Sequence, residues 1–218
     1  MRRGCCNWRM LSRVPGEQQS KRDFSACCCT PTREYVVETL RSLAIIMGNL
    51  ARAQSELLRA ADAVPVEQWK TRPAEGRWSA GEVICHLSAV ERAILSRADK
   101  LLQKPPNPAP FYKRFHIPMM FVEARVIRRK APTPLEPQAV REKEETLAEL
   151  RQVRERTLAF IGETMERDLR KYCMAHAFLG TLNAYEWLQF IASHEVRHTK
   201  QMREIAGSLP KTVTSLQK

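Results

Sequence analysis

Two histidines stand four residues apart in the run His194-Glu195-Val196-Arg197-His198. On an α-helix that spacing puts both imidazoles on one face, one turn apart, where they can grip a single cation. They share a stripe with Trp187, Ile191, Met202 and Ile205, so the pair points into an interior rather than to solvent. A third imidazole, His86, sits between Val83 and Val90 on another apolar stripe. Three imidazoles meeting from two helices would give a divalent metal ion three neutral donors and leave coordination positions open. That is the arrangement of a reactive centre rather than a closed structural one. One buried histidine is accounted for by a hydrogen bond to a carbonyl. Three without a shared partner are costly, because each ring carries a polar nitrogen on both sides. His116 and His176 fall in loops and read as ordinary exposed histidines.

His-Glu-x-x-His is also a zinc-protease pattern, in which the Glu activates water and a further ligand lies downstream. The 20 residues after His198 hold no His or Asp and a single Glu, Glu204. Positions 201 and 204 are Gln and Glu where the extended pattern needs Gly and His, so the third ligand is expected upstream, at His86. A cation held by three neutral ligands acidifies a bound water or thiol, which makes hydrolysis and thiol transfer equally compatible with the trio. A non-catalytic metal-binding stress protein, which would hold the ion without turnover, is the further alternative. Glu195 and Glu82 are the acidic candidates for a catalytic role. Glu195 projects about 100° from His194 around the helix. Orienting an imidazole, or a surface ion pair with Arg197 or Lys200, is therefore expected of it before general-base work. Glu82 lies one turn before His86, where a helix-capping role already accounts for it. Gln54, polar within an apolar stripe, is a pocket candidate, and Cys85 reads as a small core residue.

Four long helical patterns must position these groups. The first runs from about Glu34 to Ala63, with Leu43, Met47, Leu50, Gln54, Leu57 and Ala61 as its expected inner face. The second starts after Ser79, which with Glu82 forms a capping box, and reaches about Gln103, where Lys104-Pro105-Pro106 stops it. The third follows Pro137 and runs to about Met165, with Val140, Leu147, Leu150, Leu158 and Ile161 inward. A loop over about 166–182 leads to the fourth, from near Asn183 to a C-cap at Gly207. Helices of about 24–30 residues are some 36–45 Å long and pack naturally as an all-α four-helix bundle.

A long connection, residues 105–137, joins the second and third helices and carries eight prolines. It holds an amphipathic piece from Phe111 to Lys130, broken at Pro118. Phe111, Tyr112, Phe115, Met119, Met120 and Phe121 are candidates for an apolar substrate approach. Arg125 and Arg128, with Arg129 and Lys130, are candidates to hold the carboxylates of an anionic thiol.

The chain has 218 residues, 44% hydrophobic and 28% charged, enough to build a core and too apolar for a wholly disordered protein. No apolar run approaches the roughly 20 residues of a spanning helix, so no membrane role is expected. The net charge of +12 is concentrated in residues 1–35 and 113–130. It is not aligned with aromatics on one element, so no specific nucleic-acid partner is expected. Five of the seven cysteines (Cys5, Cys6, Cys27, Cys28, Cys29) precede residue 30 without zinc-finger spacing. The odd count and the lack of an export segment suggest a reducing cytoplasm. The expected organisation is a disordered, basic, Cys-rich extension over 1–33, a bundle over 34–207 and a frayed tail over 208–218. Native translation is expected to begin near Val36 or Val37, where the helical pattern starts.

The run Trp78-Ser79-Ala80-Gly81-Glu82-Val83-Ile84-Cys85-His86-Leu87 is preceded by Gln68-Trp69 and Arg72-Pro73 and followed by Glu91. A second run, Gly180-Thr181-Leu182-Asn183-Ala184-Tyr185-Glu186-Trp187-Leu188, leads into His194, His198 and Gln201. Together they resemble the DinB-like/YfiT superfamily over about residues 34–206. The resemblance implies an up-down-down-up four-helix bundle, often a homodimer. It also implies one divalent metal ion per chain, nickel or zinc in members, held by one His from the second helix and an H-x3-H pair from the fourth. Those positions match His86, His194 and His198. Members with assigned activity are bacillithiol S-transferases and mycothiol-dependent isomerases, and others are described as metal-dependent hydrolases. The implied partners are a low-molecular-weight thiol and an electrophilic small molecule.

Overall fold

A computed structural model describes residues 33–110, 118–124 and 140–210. The expected N-terminal extension (to residue 32), Phe111, Tyr112, Phe115, His116, Arg125, Arg128 and the tail beyond Pro210 lie outside the described residues.

Four long helices carry the fold: α1 (Arg33–Asp62), α2 (Ala80–Leu102), α4 (Lys143–Glu163) and α5 (Ala184–Ser208), with a one-turn α3 (Met120–Glu123) between α2 and α4. Their order around the bundle follows from which faces meet. α1 packs along α5, α5 against α2, α2 along α4, and α4 touches α1. Asn49 Nδ2 donates to Gln189 Oε1, and Arg203 pairs with Glu56, so numbering rises in the same direction along α1 and α5. Gly81 abuts Val140, Glu91 meets Arg154 and Asp99 meets Arg156, so α2 and α4 are parallel too. Arg77 reaches Glu204, which sets α2 antiparallel to α5. The result is up-down-down-up, with α1 and α2, and likewise α4 and α5, facing each other across the bundle's diagonal. Parallel neighbours cannot be joined by a tight turn, which is the physical need for a long connection between α2 and α4.

Some inner faces differ from the sequence expectation. In α1 the expected Leu43, Leu50, Leu57 and Ala61 are buried, but Ile46, Ala53 and Ala60 join them, while Met47 is turned outward. The stripe keeps Leu43, Leu50, Leu57 and Ala61 and takes Ile46 and Ala53 in place of Met47 and Gln54, a choice between adjacent positions that α1's neighbours α4 and α5 make. Leu158 is likewise on the outer side of α4. α5 continues through Gly207 to Ser208, so Gly207 ends no helix. The expected loop before α5 contains a hairpin, β1 (Cys173–His176) paired antiparallel with β2 (Gly180–Asn183). Gly180 enters it at φ +97°, a conformation glycine adopts without strain.

The apolar core is split in two. One cluster gathers Leu57, Val64, Trp69, Ile84, Leu150 and Met202; the other gathers Leu43, Leu50, Ile94, Phe160, Leu182 and Ile191. Between them lies a buried polar layer containing His86, Glu91, Arg154, Thr157, Glu195 and His198. Among the described residues no helix is long and apolar enough to cross a membrane.

Candidate metal centre

Both helices that supply histidines begin at a fixed point. Ser79 Oγ accepts from the Glu82 amide at 3.2 Å, and Glu82 Oε2 accepts from the Ser79 amide at 2.7 Å. Arg72 Nε donates to both Glu82 oxygens at 3.1 and 3.0 Å. Burial alone would raise the Glu82 carboxyl, but the hydrogen bonds from Arg72 and Ser79 outweigh it and hold the group below the usual carboxylate range. Glu82 is therefore committed to the cap. Asn183 and Glu186 form the equivalent capping box for α5. Satisfying the first amides in this way fixes the start and phase of each helix, and so fixes where His86 and the His194/His198 pair emerge.

The three rings converge. His198 Nε2 and His194 Nε2 are 3.1 Å apart, and the His86 ring centroid lies 5.2 Å from that of His194 and 5.1 Å from that of His198. One nitrogen of each lies within 4.8 Å of the others. Nitrogens about 2.0–2.1 Å from a tetrahedral ion would stand about 3.3 Å apart, so the α5 pair is already spaced for an ion and His86 needs only a modest approach. His198 Nδ1 donates to Gln201 Oε1 at 2.9 Å, leaving the Nε2 lone pair directed at the shared point. His86 and His198 are buried. Trp78 stacks over His198 (6.4 Å, 13°) and leans on His86, while Phe190 stacks on His194 (5.3 Å, 14°). Burial first, then the neighbouring His198, His86 and Arg197, hold His194 well below the ordinary histidine value, so its ring is neutral at pH 7. Three ring nitrogens brought this close together, from two helices, are a donor set that could hold a metal ion.

Of the other sequence candidates, Glu195 overturns the expectation of a surface ion pair. It is 1% exposed, and its Oε2 accepts from Arg154 Nη2 at 2.9 Å. Burial pushes its carboxyl up to about 7; Arg154 opposes this and Glu91 adds to it. Arg197 and Lys200 instead hold α3, donating to the carbonyls of Val122 (3.3 Å), Ala124 (2.9 Å) and Glu123 (2.9 Å). Gln54 is half-buried on α1, and its Nε2 has no hydrogen-bond partner among the described residues. Met119 packs on the core, while Met120 and Phe121 are exposed. His176 is not an exposed loop residue. It sits on β1, packs on Trp187 and Phe190, and accepts on Nδ1 from the amides of Phe178 and Leu179, both at 3.1 Å. Arg154, in line with Leu150 and Thr157 on the inner face of α4, was missed. Its signal was a charged residue inside an apolar stripe.

The model of the DinB superfamily matches residues 49–202, and the chain belongs to that superfamily. Protein YuaE of Bacillus subtilis (strain 168) is 31% identical over 140 residues, 64% of this chain and 83% of that protein. A solved structure, YfiT from Bacillus subtilis, is described as a probable metal-dependent hydrolase with an unusual four-helix bundle topology. It is 15% identical and covers 88% of this chain and 93% of its own, with a TM-score of 0.49.

Proposed function

We propose that this chain is a divalent-metal-dependent enzyme whose ion is held by His86, His194 and His198, and that its reaction transfers a low-molecular-weight thiol to an electrophilic small molecule. The observation carrying the reading is the convergence of three imidazoles from two helices, two of them 3.1 Å apart, in the buried polar layer between the two apolar clusters. Imidazole donors suit several first-row ions, zinc, copper, iron and nickel among them, and nickel or zinc is the choice that the resemblance to the superfamily implies. An ion bound by three neutral ligands lowers the pKa of a coordinated thiol or water and so supplies a nucleophile at neutral pH.

The chain's own residues then have definite tasks. Gln201 holds His198 in the tautomer that would leave Nε2 free to bind an ion. With His198 Nδ1 carrying a proton, the 3.1 Å contact requires His194 to donate through Nε2, and for His194 to offer that nitrogen to an ion its proton would have to sit on Nδ1 instead. Trp78 and Phe190 restrict ring rotation and keep water from the back of the pair. The thiol route follows from the superfamily's assigned activities. Hydrolysis, for which the same ligands serve with water as nucleophile, is the competing outcome. A homodimeric, cytoplasmic protein is part of the same proposal.

The test is metal analysis of purified protein beside His86→Ala and His198→Ala. One nickel or zinc per chain in the wild type, lost in both variants, is expected; a bound ion retained in either variant refutes the site. Turnover of a chloronitroaromatic electrophile that requires both metal and an added thiol supports transfer. Metal-dependent ester or amide cleavage without thiol would assign hydrolysis instead.

A further inference from the structure

Arg154 is 3% exposed and touches all of the bundle's long helices. Its Nε donates to Glu91 Oε1 at 2.9 Å and its Nη2 to Glu91 Oε2 at 3.1 Å, both on α2. Its Nη1 donates to the Leu50 carbonyl of α1 at 2.8 Å. Its Nη2 also reaches Glu195 of α5 at 2.9 Å, across the diagonal. Thr157 Oγ1, one turn on, donates to the same Glu91. Glu195 is the residue after His194, and Glu91 lies five residues after His86. The two helices that must present histidines to one another are thus bolted to a single guanidinium beside the trio.

Resting on the metal reading above, we infer that Arg154 is a positioning residue for the centre. Through Glu91 and Glu195 it fixes the separation and rotation of α2 and α5 at the level of the imidazoles. The planar, five-donor fork meets two carboxylates and a carbonyl; a lysine keeps the charge but cannot hold three directions at once. A hydrophobic layer at this level could pack as tightly, but it would let α2 and α5 slide, because apolar contacts are not directional.

The test compares Arg154→Lys with Leu43→Ala, a cavity variant in the far apolar cluster chosen for a matching loss of thermal stability. Two readouts are taken. In the metal-free protein, NMR cross-relaxation between the ring protons of His86 and those of His194 and His198 reports the approach of α2 to α5, the ring centroids lying 5.2 and 5.1 Å apart; it should weaken in Arg154→Lys and persist in Leu43→Ala. In a Co2+ titration, Arg154→Lys should bind at least about tenfold more weakly with an altered visible d–d spectrum, while Leu43→Ala keeps the wild-type spectrum. Wild-type NMR in Arg154→Lys, or equal changes in both variants, overturns the inference. If Arg154→Lys does not fold, Glu91→Gln carries the same expectations. Failure of the wild type to bind Co2+ with the NMR contrast intact would sink the metal reading and leave the positioning role of Arg154 standing.

Discussion

Replacing Gly81 by Ala tests how tightly the start of α2 is held, and hence how His86 is aimed. An added Cβ would lie 2.2 Å from Val140 Cγ1, 2.8 Å from Trp69 Nε1 and 3.1 Å from Trp69 Cδ1. Ordinary carbon contacts are about 3.5–4.0 Å, so Val140 must retreat by more than about 1 Å. Val140 is half-buried and can move in part. Trp69 cannot: it is 1% exposed, its carbonyl accepts from the Gly81 amide at 3.0 Å, and Lys143 lies over its ring. Overpacking of this kind costs about 1–3 kcal/mol, and alanine returns less than about 1 kcal/mol of helix propensity at so early a position. The net loss is about 1–2 kcal/mol, a fall in Tm of about 2–8 °C for a chain of this size. Thermal unfolding of the metal-free protein measures it. Adding Val140→Ala in a double-mutant cycle should recover only part of the loss, because the Trp69 contact remains. A Tm at or above wild type for Gly81→Ala would refute the reasoning, since it would mean that α2 can lift off Trp69 freely.

Gln201→Leu removes the acceptor that fixes His198, and metal affinity should fall about 10–100-fold with the helical circular dichroism unchanged; competition with a chromophoric chelator measures it. His176 is held below the ordinary histidine value by burial. The folded state therefore binds that proton less readily than the unfolded chain, and stability is lost as pH falls below about 6.5. The stability advantage of wild type over His176→Gln should accordingly narrow between pH 7.5 and pH 4.5 in denaturant titrations. An advantage independent of pH would show that the two amide bonds to Nδ1 contribute nothing.

What could be read from the chain was whatever depends on near neighbours along it. Ser79 and Glu82, or Asn183 and Glu186, are three residues apart, so both caps were visible or placed to within a residue. The trio was visible because helical periodicity puts His86, His194 and His198 in apolar stripes, and an imidazole there has few uses. The hairpin before α5 was hidden in a segment too short for its alternation to stand out.

Sequence by itself thus determined the helices, their caps and the apolar stripes in which His86, His194 and His198 stand, because these follow from interactions within a turn or two of chain. Only tertiary structure decided the phase that buries Ile46 rather than Met47, the fate of Glu195 and the place of Arg154. A charged residue in an apolar stripe announces a partner without naming it. The partner is chosen by which helices become neighbours around the bundle and across its diagonal, a property of residues 41–104 positions apart.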